Sequence, residues 1–149
     1  MEAFVEYCKT DFMICLTNQT ACKIFAKVFL KVSDVERLEI ELHLKNIMPQ
    51  VFEGKGGREL VEVFLIKSDS QSVQPLLKTV HNKLEEYLKQ EDFEYFFNKI
   101  AELKRTEIID EMITKVFLED GLTDEQLLSI INHESANKIL LTFFTLSSL

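Results

Sequence analysis

The chain has 149 residues, 46% apolar and 28% charged, and its 25 acidic and 17 basic residues give a formal net charge of -8. That length suits a single domain with a sizeable core, and that composition excludes a disordered chain. The acidic balance opposes long-range attraction to nucleic acid unless basic residues cluster.

Four glycines and two prolines, with abundant Leu, Lys and Glu, favour long helices joined by short turns. Residues 2–17 carry a helical stripe of Phe4, Val5, Cys8, Phe12, Cys15 and Leu16, which Glu2, Glu6 and Asp11 interrupt too often for a signal peptide. No stretch reaches the roughly 18 uncharged apolar residues of a membrane span. The expectation is an intracellular protein, cytoplasmic or nuclear, without membrane contact. Cys8, Cys15 and Cys22 are the only cysteines, odd in number and on a helical stretch, so they read as buried thiols rather than a disulfide framework or metal cluster.

Thr17-Asn18 reads as a cap before a helix at 19–31, where Ile24, Phe25, Val28 and Phe29 form the predicted buried face and Lys23, Lys27 and Lys31 a solvated one. Ser33-Asp34-Val35-Glu36 is a capping box that starts a helix through Leu38, Leu42 and Leu44 to about Phe52. Pro49 removes a donor inside that pattern and predicts a kink or a break near Asn46. Gly54, Gly56 and Gly57, with Lys55 and Arg58, lack the order of a phosphate-binding loop and read as a helix-to-helix turn using left-handed glycines.

After a polar loop at 68–74, helices are predicted at about 75–89, 91–104 and 107–118, the last capped by Thr106 and stopped at Glu119-Asp120-Gly121. Thr123-Asp124-Glu125-Gln126 is a second capping box. Asn132 to Ser135 form a turn before a final helix rich in Leu and Phe. Val61 to Ile66 is the one run with strand character, and its place in the pattern below assigns it to a helix.

A small or aromatic anchor, two variable residues and then two apolar residues recur from Ala21, Gly57, Phe93 and Ala136, at steps of 36, 36 and 43. The pairs Ile24/Phe25, Leu60/Val61, Phe96/Phe97 and Ile139/Leu140 correspond, as do Leu16, Phe52, Leu88 and Ile131 before the anchors. A fixed period of this length marks stacked helical units. The predicted fold class is all-α, a short α-solenoid of about four repeats at roughly 1–37, 38–73, 74–106 and 107–149.

This spacing resembles the Pumilio/Puf repeat, with armadillo and HEAT repeats sharing much of it over longer units. The resemblance implies base-edge pairs at Cys22/Ala26, Arg58/Glu62, Glu94/Asn98 and Asn137/Leu141, and stacking positions at Lys23, Glu59, Tyr95 and Lys138. None of the four pairs matches the family's base-reading code, and Tyr95 alone offers a flat ring.

No catalytic, cofactor or metal motif is present, and His43, His81 and His133 fall in different units without ligand spacing. Ile139 to Leu149 place apolar residues on more than one side of the last helix, where a free solenoid end is normally polar. The leading expectation is a non-catalytic adaptor, without cofactor, that binds a protein partner or itself through Leu141, Phe144 and Leu146. The alternatives are RNA binding through Lys23, Lys27, Arg58, Tyr95, Lys99 and Lys138, and a helical bundle of the viral Bcl-2-like kind that takes partner helices.

Overall fold

The computed structural model of the chain describes residues 3, 6–7, 12–54, 56–117 and 121–149. Phe4, Val5 and Cys8 of the predicted first helix, Lys55 of the glycine turn, and Glu119 and Asp120 of the predicted stop lie outside them, as do the side chains of Ile14 and Cys15. Every regular element among the described residues is helical, and the chain divides into two compact units, Met1–Thr79 and Val80–Leu149.

The first unit contains α1 (Phe12–Cys15), α2 (Gln19–Phe29), α3 (Asp34–Leu44), a 3-10 turn (Lys45–Ile47), α4 (Met48–Glu53) and α5 (Gly57–Lys67). Asn18 starts α2 by accepting the Ala21 N–H at 3.1 Å. Ser33 starts α3 through the expected box: the Glu36 N–H donates to its hydroxyl, and its own N–H donates to the Glu36 carboxylate, both at 3.2 Å. The break expected before Pro49 falls at the 3-10 turn, which leaves the proline in the first turn of α4, where its missing donor costs nothing.

Helices α2 and α5, which carry the anchors Ala21 and Gly57, pack side by side. Two contacts fix their direction as parallel. Phe29 meets Phe64 edge-on at 5.1 Å, and a Cβ built on Gly56 comes 2.3 Å from the Cys22 sulfur. A Cβ on Gly57 comes 1.8 Å from the Val51 carbonyl oxygen. The glycines therefore serve close approach. The expectation of left-handed backbone fails, since no described glycine has a positive φ. Phe12, Phe25 and Phe29 form a ring cluster at centroid distances of 4.8 and 6.3 Å beneath this pair. Fully burying each such ring is worth about 1.5–3 kcal/mol.

One expectation about a face also fails. Ile24 is 59% exposed, and Leu38 and Leu42 stand in solvent with Val35 while Ile40 and Leu44 are buried. Residue type cannot tell which side of an apolar helix has a neighbour. Arg37 pairs with Asp34 at 2.9 Å and with Glu41 at 3.6 Å. The Ser68 hydroxyl donates to Glu41, tying α3 to the end of α5.

Helix α6 (Gln74–Asn82) spans the boundary between the units, and the second unit continues with α7 (Leu84–Lys89), a 3-10 turn (Glu91–Phe93), α8 (Glu94–Glu102), α9 (Thr106–Phe117), α10 (Asp124–Ile131) and α11 (Glu134–Leu146). The single helix expected over 75–89 is broken at Lys83, whose φ of -136° and ψ of 38° leave the helical region. No Gly or Pro marks that break. It accompanies complete burial of Leu84, Tyr87 and Leu88, a case of packing overriding propensity. Thr106 is the first residue of α9, not its cap. Helix α7 packs on α10 and α11, and α8 and α9 pack on α11. Lys89 bridges α7 and α10, donating to the Ser129 hydroxyl at 2.7 Å while paired with Glu85 at 3.3 Å.

Candidate interaction surface

Helix α11 starts on His133, whose Nδ1 accepts the Ala136 N–H at 3.3 Å. Its inner face is Ala136, Ile139, Leu140 and Phe143, all buried, with the Phe143 ring 6.1 Å from that of Phe97. Its outer face carries Leu141 at 65% exposure and Phe144 at 47%. The Phe144 ring lies 4.8 Å from the half-exposed ring of Phe117 at the end of α9. Leu146 is half-buried at the edge of this patch. Of the residues expected to bind a partner, Leu141 and Phe144 thus present themselves to solvent, and Leu146 does so in part. Leu128 and Ile131 of α10 are exposed as well.

The chain end is held beside the patch by one carboxylate. The Ser147 hydroxyl and the Ser148 N–H donate to Asp110 Oδ1 at 2.6 and 2.9 Å, and the Ser148 hydroxyl donates to Oδ2. The side-chain bonds from Ser147 and Ser148, outweighing desolvation, hold the Asp110 carboxyl below the usual carboxylate range.

The residues of the RNA alternative are distributed over both units. Lys23 and Lys27 are exposed on α2, and Arg58 pairs with Glu62 on α5 at 3.2 Å. On α8, Tyr95 is half-buried and Lys99 pairs with Glu102 at 3.5 Å; on α11, Lys138 pairs with Glu134 at 3.3 Å. Cys22 and Ala26, the first base-edge pair implied by the Puf resemblance, are buried and present no edge. Asn137 of the last pair donates its amide to the Ile131 carbonyl at 3.1 Å.

Sequence reasoning missed a polar cavity of about 330 Å³ in the second unit. His81, Lys83 and Glu85 line it, with Lys115, Gly121 and Gln126. These come from three separated segments, so no spacing in the sequence announces them. His81 Nε2 is buried there without a hydrogen-bond partner. Desolvation lowers the His81 pKa, Glu111 opposes that shift and Lys115 adds to it. Burial raises Glu85, but bonds from Lys89, Ser129 and Gln126 outweigh it and leave the carboxyl below its ordinary range. That carboxylate is committed to its partners. Among the described residues, no group of three His, Cys, Asp or Glu could hold a metal ion, and no helix is long and apolar enough to cross a membrane. No family model, curated protein or solved structure matches the chain.

Proposed function

We propose that this chain is a non-catalytic helical-repeat scaffold that binds a protein partner through the outer face of α11, acting in the cytoplasm or nucleus. The observation that carries the reading is the exposure of the apolar Leu141 and Phe144 beside Phe117, on the side of α11 away from its buried face. Covering a Leu or Phe side chain is worth about 1.5–3 kcal/mol, so two or three at the centre of a contact suffice for a specific complex.

A second reading, RNA binding, is favoured by Lys23 and Lys27, which stand exposed on α2, with Lys31 exposed in the turn after it. Against it, Arg58, Lys99 and Lys138 each lie against a carboxylate on their own helix. A photo-crosslinking residue placed at Leu141 separates the two in extract of the source cells. The expected result is a protein adduct that Phe144→Glu abolishes. No such adduct, together with a low-salt RNA gel shift lost in Lys23→Gln/Lys27→Gln, overturns the scaffold reading in favour of RNA.

A further inference from the structure

The exposed residues of α10 and α11 are not scattered. Ile131 is 44% exposed, whereas Leu16, Phe52 and Leu88, at the corresponding positions of the recurring pattern, are all buried. Phe144 corresponds to Phe29 and Leu65, both buried, and to Ala101, half-buried. Leu141 corresponds to Ala26, also buried, to Glu62, half-buried, and to Asn98, exposed. In the first unit the cause of that burial is visible, because Cys22 and Phe29 lie on the side of α2 that α5 occupies. The outer face of α11 is therefore the side on which a helix placed like α5 would lie.

The opposite deficit occurs at the start of the pattern. Ile24 is exposed, whereas its counterparts Leu60, Phe96 and Ile139 are buried. Val28 is half-buried, whereas Phe64, Ile100 and Phe143 are buried. Among the described residues, nothing covers Leu141 and Phe144 as α5 covers Cys22 and Phe29, and Ile24 and Val28 are less covered than their counterparts. Charge agrees. Residues 12–32 hold Lys23, Lys27 and Lys31 and no acid, while residues 123–149 hold Asp124, Glu125 and Glu134 against Lys138.

We propose that the outer face of α11 is filled by α2 of a second copy of this chain, joined head to tail, with Ile24 and Val28 of one copy against Leu141 and Phe144 of the next. The proposal rests on the scaffold reading and names its partner. Such a joint is heterologous, so association runs past the dimer or closes into a ring.

Sedimentation velocity on the purified chain and two variants tests it. The wild type is expected to gain mass beyond a dimer as concentration rises. Ile24→Glu and Phe144→Glu, both at exposed positions and each checked for native circular dichroism, are expected to be monomers. Their equimolar mixture is expected to form dimers and nothing larger, because each supplies the end the other lacks. If Ile24→Glu associates as the wild type does and mixing restores nothing, the joint is not head to tail. A wild type that stays monomeric also overturns the proposal. In that case an adduct of a different protein at position 141 leaves the scaffold reading standing, whereas no adduct removes both.

Discussion

At the scale of single residues, His81 is a group whose surroundings change its chemistry. Its Nε2 is buried without a partner and its pKa is lowered, mainly by desolvation, with Glu111 and Lys115 acting in opposite senses. A histidine with a depressed folded pKa stays neutral in the native state while its unfolded form takes a proton below about 6.5. The unfolded state then binds more protons, so this contribution to stability is intact above that pH and is lost as pH falls from about 6.5 toward the depressed native value. Urea melts of the wild type should lose stability over that window more steeply than those of His81→Gln, which keeps a polar side chain but does not titrate. Equal slopes would show that protonating His81 costs the fold nothing. Nothing in the sequence around His81 announces this. Its environment comes from Glu111 and Lys115 on α9 and from the Gly121–Gln126 segment, and residue identity at one position carries no record of them.

At the scale of elements, the local signals were legible because local chemistry sets them. Both capping boxes and the break before Pro49 depend on donors within four residues, and they stand where the sequence predicts. What needed a neighbour was not legible. Lys83 breaks a helix that has no breaker in it, and Ile24, Leu38 and Leu42 are exposed on helices whose pattern alone would bury them. The candidate surface divides the same way. Its apolar side chains were evident, but the pairing of Phe144 with Phe117 and the hold of Asp110 on Ser147 and Ser148 were not. The Thr123 box gives a direct check on a legible element. Its hydroxyl accepts the Gln126 N–H at 3.2 Å and its N–H donates to the Gln126 side chain at 2.9 Å. Replacing a cap of this kind with Ala costs about 0.5–2 kcal/mol. Thr123→Ala should lower the denaturation midpoint accordingly without changing the denaturant slope, since no buried surface is altered. A change in slope would mean that α10 is lost rather than weakened.

At the scale of the whole molecule, a net charge of -8 opposes any contact between copies, and a head-to-tail joint must overcome it. Two electrostatic terms respond to salt in opposite directions. Repulsion between the net charges acts over the breadth of the molecule, tens of ångströms, and screening relieves it. Attraction between Lys23, Lys27 and Lys31 and the acids of residues 123–149 acts across the contact, and screening weakens it. The Debye length decides which term governs. It is about 8 Å at 0.15 M and roughly 3 Å at 1 M, so the long-range repulsion is already largely spent at physiological salt, while charges a few ångströms apart still feel one another. Raising salt from about 0.15 to 0.5 M should therefore weaken association of the wild type. Lys23→Gln/Lys27→Gln/Lys31→Gln should associate less at 0.15 M and lose most of that salt dependence, because the apolar contact of Ile24 and Phe144 remains. Sedimentation at matched concentrations reads both effects. Association that strengthens with salt, equally in the wild type and the triple variant, would mean that Lys23, Lys27 and Lys31 do not face the acidic end of the next copy.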